Sequence, residues 1–125
     1  MIKHNTIMSE NKKILLVDDE ADIALAFRLG LESSGFSVDA YTSSITALAN
    51  FTSNFYDLAL LDIKIPKMDG IELYEKIRET DKKIKICFIS AYDADYHLVK
   101  EYSACIIKKP ITIDDLIKKI NTEIQ

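Results

Sequence analysis

The sequence predicts an α/β fold, a doubly wound five-stranded parallel sheet in the order 2-1-3-4-5 with helices on both faces. Three observations predict it. Five short apolar runs alternate with five segments of helical spacing, which implies right-handed crossovers between parallel strands. Several of the runs are almost continuously apolar, as in Ile14-Leu15-Leu16-Val17 and Leu58-Ala59-Leu60-Leu61, the mark of strands covered on both faces. The first and third runs each end in acid, at Asp18-Asp19 and at Asp62. In this strand order the crossover direction reverses between strands one and three, where open α/β sheets bind ligands beyond the carboxyl ends of their strands.

The strands are expected at Lys13–Val17, Phe36–Tyr41, Asp57–Asp62, Ile84–Ser90 and Ala104–Lys109. The first helix runs from Ala21 to Ser34, with Ile23, Phe27 and Leu31 four apart and Gly35 as its stop. Ser43 or Ser44 caps a second helix whose inner face is Ile45, Leu48, Ala49 and Thr52. Asp69-Gly70 precedes a third, with Ile71, Tyr74 and Ile77 on one side. The fourth segment, Asp93 to Ser103, is the weakest, anchored by Tyr96, Leu98, Val99 and Tyr102. The last helix begins with a Thr112–Asp115 capping pair and carries the stripe Ile113, Leu116, Ile117, Ile120 and Ile124, which should dock on the sheet.

Length and composition fit one globular domain: 125 residues, 48% apolar and 29% charged. The start, residues 1–11, lacks an apolar core and reads as a flexible arm before a domain over residues 12–125, not as a secretory signal. A net charge of −4 without a basic stripe argues against direct nucleic-acid binding. No apolar run approaches the roughly 18 residues a membrane helix needs, so no membrane insertion is expected. Cys87 and Cys105 lie in strand-like runs and read as buried free thiols; a disulfide would need their strands to be neighbours. With His4 and His97 distant, no zinc ligand set is spaced correctly. The expected location is cytoplasmic.

Carboxylates gathered at one sheet edge repel one another and raise each other's proton affinity, a conflict that a divalent cation resolves. Mg²⁺ prefers oxygen ligands and takes one or two carboxylates together with phosphate oxygens. Asp19 and Asp62 are assigned as direct ligands, with Asp18 acting through water. Acids at a helix N-terminus are stabilising in their own right. That accounts for Asp18-Asp19, but Asp62 lies several residues before the next helix. Ser90 followed by Ala91, and Lys109 followed by Pro110, close the fourth and fifth strands at the same edge. A hydroxyl, a backbone N–H and an ammonium beside a metal suit a phosphoryl group. Attack by a carboxylate on phosphorus would give an acyl phosphate.

At these residues the chain resembles the receiver domain of two-component response regulators, a flavodoxin-like three-layer sandwich. The matching pieces are Ile14 through Glu20, Asp62 through Gly70, Ser90-Ala91 and Lys109-Pro110. The resemblance covers residues 12 to 125. It implies a phosphoacceptor at Asp62, served by Ser90 and Lys109, that takes phosphate from a histidine kinase or phosphotransfer protein. It implies Mg²⁺ held by Asp18, Asp19, Asp62 and the Lys64 backbone carbonyl, and backbone contacts to the phosphoryl group from Lys64 and Ala91. It also implies a cis Lys109-Pro110 peptide, an unknown downstream protein target, and no enzymatic turnover beyond self-phosphorylation and self-dephosphorylation. Because no output domain follows Gln125, a stand-alone form is expected.

The sequence departs from the family pattern in two places. Ile106 stands where receivers carry an aromatic switch residue, and the stretch from Ser90 to Lys109 is shorter by about one helical turn. Lys64 and Tyr92 occupy positions flanking the phosphoryl group, where their bulk is expected to restrict attacking water. Two other functions remain open: a receiver-like interaction module that works without phosphorylation, and a Mg²⁺-dependent phosphatase. The latter is weakened because Lys64 stands where a second acid would be needed.

Overall fold

The computed structural model describes residues 12–102 and 105–125. The expected N-terminal arm lies outside those residues. Five strands, β1 (Lys13–Val17), β2 (Ser37–Tyr41), β3 (Leu58–Asp62), β4 (Lys85–Ser90) and β5 (Cys105–Lys108), form one sheet in the order β2-β1-β3-β4-β5. Every neighbouring pair is parallel. The helices are α1 (Ala21–Ser33), α2 (Ser44–Ala49), α3 (Gly70–Thr80), α4 (Asp93–Val99) and α5 (Ile113–Ile124), with a 3₁₀ turn at Lys100–Tyr102. Strand bounds move by one residue from expectation at β2, β3 and β4. In β5 Lys109 falls just past the end, and Ala104 lies outside the described residues.

Successive strand side chains point to opposite faces, and the continuous apolar runs feed two cores in alternation. Ile14, Leu16, Leu58 and Leu60 pack with Phe27 and Leu31 of α1 and with Leu116 and Ile120 of α5. Leu15, Val17, Ala59 and Leu61 pack on the other face with Ala47 of α2, Leu73 and Ile77 of α3, and Val99 of α4. A fully buried leucine such as Leu60 contributes about 2 kcal/mol through burial alone. The apolar stripe of α5 lies on the sheet as its spacing implies, with Ile113, Ile117 and Ile124 flanking the two buried anchors.

The helix ends follow local chemistry. Ser43, Asp69 and Thr112 each accept a backbone hydrogen bond three residues on, from Thr46, Glu72 and Asp115 respectively. At the end of α1, Gly35 takes φ 97°, while its N–H reaches the Glu32 carbonyl and the Phe36 N–H reaches that of Leu31. This double bond pattern is a Schellman stop, which favours glycine at the left-handed position.

Two helical faces differ from their periodicity. On α2 the buried residues are Ser44 and Ala47, whereas Ile45 is half-exposed and Thr52 lies beyond the helix. A six-residue helix is oriented by its cap and its sheet contact, not by a repeating stripe. On α4, Val99 and the acid Asp95 face inward, leaving Tyr96 and Leu98 half-exposed. Cys87 and Cys105 are direct register partners on β4 and β5, and both are free thiols. A hydrogen bond with Cys105, together with burial, pushes the Cys87 thiol up.

Candidate functional site

The carboxyl ends of β1 and β3 are adjacent, because Val17 pairs with Leu61. Asp18 and Asp62 therefore emerge side by side at the switch point, 0% and 5% exposed. The loop after Asp62 turns back sharply, with the Gly70 N–H bonded to the Ile63 carbonyl at 2.9 Å. A Cβ at position 70 would stand 2.2 Å from the Asp62 carbonyl oxygen. The close approach of α3 to the end of β3 thus requires glycine there, which gives the Asp69-Gly70 pair its structural meaning.

Lys109 enters from beyond β5. Its Nζ lies 2.9 Å from Asp18 Oδ2 and 3.4 Å from both Asp62 Oδ2 and Glu20 Oε1. The backbone is tied down by the Lys109 N–H to the Ser90 carbonyl at 2.8 Å, and the Lys109-Pro110 peptide is cis. Asp18 Oδ1 accepts the Glu20 N–H at 2.9 Å, whereas the buried Asp18 Oδ2 faces the Lys109 ammonium. Burial and the neighbouring Asp18 charge push the Asp62 carboxyl up to about 6, while Lys109 and the Lys64 backbone N–H pull the other way. Burial would lower the Lys109 ammonium, but Asp18 and Asp62 hold it above its ordinary value.

Oxygens of Asp18, Glu20 and Asp62 lie within 4.8 Å of one another. Three carboxylates facing one ammonium leave about two negative charges to be balanced, which a divalent cation does. An all-oxygen donor set is what Mg²⁺ prefers. That surplus negative charge on clustered oxygens fits such an ion.

Asp19 lines the adjoining cavity of about 240 Å³, together with Glu20, Asp62, Lys64, Ala91, Tyr92 and Lys109, but its carboxylate is outside the three-acid group. Glu20 is the residue that sequence reasoning did not single out. Its signal was its place as the third acid in the run Asp18-Asp19-Glu20. Ser90 does not line this cavity. It faces a neighbouring one of about 400 Å³ with Tyr96, His97 and Ile106. Ile106 pairs in register with Phe88 of β4, and Tyr102, before β5, packs its ring 5.0 Å from that of Tyr74.

A parallel doubly wound sheet with a lysine-closed acidic cavity at its switch point defines a class of α/β ligand-binding domain. Comparison with known proteins makes the class specific. The model for the response regulator receiver domain matches residues 14–121, and the chain belongs to that family, the receiver domains of two-component systems.

Among curated proteins, the chain is 32% identical over 111 residues to the transcriptional regulatory protein DltR of Streptococcus agalactiae, covering 86% of this chain and 50% of that protein. It is 28% identical over 114 residues to the C4-dicarboxylate transport transcriptional regulatory protein DctD of Rhizobium meliloti, covering 89% and 25%. The chain thus spans a quarter to a half of the curated relatives it matches. Among solved structures, a CheY-like receiver domain protein from Methanospirillum hungatei superposes with a TM-score of 0.83 at 32% identity, covering 90% of this chain and 93% of that one. The response regulator TrrA of Thermotoga maritima, solved with Mg²⁺ and BeF, gives 0.80 at 32% identity, covering 89% and 97%. No helix among the described residues is long and apolar enough to cross a membrane.

Proposed function

We propose that the chain is a signalling phosphoacceptor, in which Asp62 receives a phosphoryl group from a phosphohistidine of a sensor kinase or phosphotransfer protein. The observation that carries this reading is the Lys109 ammonium bridging Asp18 and Asp62 at the mouth of a small acidic cavity. An Asp62 carboxylate oxygen attacks phosphorus, the P–N bond breaks, and the departing imidazole keeps the electron pair. The product is an acyl phosphate. Bound Mg²⁺ would supply charge neutralisation for the transferring oxygens, held by Asp62, Asp18, the neighbouring Asp19 and Glu20, and the Lys64 backbone carbonyl.

Lys109 keeps its proton, offsets the repulsion between the acids and offers a donor to a phosphoryl oxygen. The backbone N–H groups at Lys64 and Ala91, both lining the cavity, add further donors. The product then alters protein–protein contacts with a downstream target, without turnover of a separate substrate. The cytoplasm suits two free thiols.

The ring-less Ile106 favours a second reading, a module that binds its partner without phosphorylation. One experiment separates the two. The protein is incubated with acetyl phosphate, with and without Mg²⁺, and its intact mass is measured beside that of Asp62→Ala. A Mg²⁺-dependent gain of one phosphoryl group, absent from the variant, is expected. No gain with any donor would sink the phosphoacceptor reading.

A further inference from the structure

The Ser90 hydroxyl, expected to donate to the phosphoryl group, is already engaged. Its Oγ donates to Asp95 Oδ2 at 2.6 Å and accepts the Tyr92 N–H at 3.0 Å. A serine hydroxyl has one hydrogen to donate. The Tyr92 carbonyl at 3.2 Å competes poorly for it against a carboxylate at 2.6 Å. While Asp95 holds that hydrogen, Ser90 cannot donate it to another anion.

Asp95 is 2% exposed, in the first turn of α4, and its other oxygen faces Lys64 Nζ at 3.4 Å. One buried carboxylate therefore collects both the hydroxyl and the ammonium that flank the acidic cavity. The Ser90–Asp95 bond also ties the end of β4 to the start of α4, which lacks a side-chain cap at Tyr92.

We infer that Asp95 is a positioning residue that holds the Ser90 hydroxyl away from the phosphoryl site until Asp62 is modified. Resting on the phosphoacceptor reading, this assigns the switch to a competition between two anions for one hydroxyl. When the phosphoryl oxygen wins, Asp95 loses its donor and the first turn of α4 loses its tie to β4. That supplies a route from the site to α4 that needs no aromatic ring at Ile106.

An acid at the start of a helix also stabilises it. If that were the whole role of Asp95, removing it would weaken ligand binding or leave it unchanged. The competition predicts a gain. The test is calorimetric titration of beryllofluoride, a phosphoryl mimic, at saturating Mg²⁺. Asp95→Ala is expected to bind about tenfold more tightly than wild type, the size of a released hydrogen bond to a charged acceptor.

Asp95→Asn, which keeps an acceptor but not the charge, is expected to show a smaller gain, and it preserves the packing if the alanine variant fails to fold. In a Ser90→Ala background the Asp95 substitutions should give no gain. Unchanged or weaker binding by folded Asp95 variants would overturn the inference alone. So would a gain that survives undiminished without Ser90. Absence of binding by the wild type would overturn the phosphoacceptor reading, and this inference with it.

Discussion

Asp81 and Asp62 are both buried aspartates at the ends of the sheet, 2% and 5% exposed, yet they live in opposite environments. Asp81 sits at the amino edge, after α3. Its oxygens accept the Asn54 N–H at 2.9 Å, the Lys83 N–H at 3.0 Å and the Ile84 N–H at 3.1 Å. Burial alone would raise its pKa, but those three donors hold the carboxyl below its ordinary range. Asp62, at the carboxyl edge, has a second acid beside it and shares one lysine, and is pushed up to about 6. A saturated carboxylate is a staple for two loops. An under-served one is poised to bind something.

The largest effect tests the staple. Asp81→Ala leaves three inward N–H groups unpaired and is expected to lose about 3 kcal/mol at neutral pH. Because the folded pKa is depressed, the stabilisation is fully present above the unfolded value of about 3.9 and is lost as pH falls through the lower folded value. Urea unfolding of wild type and Asp81→Asn at pH 7 and pH 3 should show the gap narrowing in acid.

The opposite sign is expected at the other edge. In EDTA, Asp62→Asn removes a charge repelled by Asp18 and should raise stability by about 1 to 2 kcal/mol. Mg²⁺ at ten times its Kd should then add about 1.4 kcal/mol to the wild type and clearly less to the variant. Thermal melts measure both, and equal losses at Asp81 and Asp62 would break the comparison.

The smallest effect concerns the rim of the under-served site. Tyr92, 61% exposed, and Lys64 both line the acidic cavity. Trimming both to alanine should shorten the acyl-phosphate lifetime about threefold, roughly 0.6 kcal/mol in the barrier. Phosphate release followed over time checks it, and an unchanged lifetime would remove these side chains from the account.

Much of the architecture was legible in the chain because it is written in local periodicity. Continuous apolar runs marked covered strands, the stripe of α5 marked its docking face, and Gly35 marked the end of α1. The strand order then carried Asp18 and Asp62 to one edge, since residues ending neighbouring parallel strands must emerge together. Short segments were less legible. α2 turned Ala47 inward and left Ile45 exposed, and α4 buried Asp95 beside Val99. In a helix of six or seven residues one hydrogen bond outweighs a stripe that barely repeats.

The sequence by itself determined the fold, the edge on which the site lies and the identity of most residues around it. Only the tertiary structure decided which carboxylates cluster, bringing in Glu20, and which partner holds Ser90. The tertiary structure likewise decided that Asp81 is saturated while Asp62 is not. The physical reason is that hydrophobic periodicity specifies the side of an element a residue occupies. The direction of a polar side chain at a strand end is set by donors from segments distant in the chain, as Lys109 reaches Asp18 and Asn54 reaches Asp81.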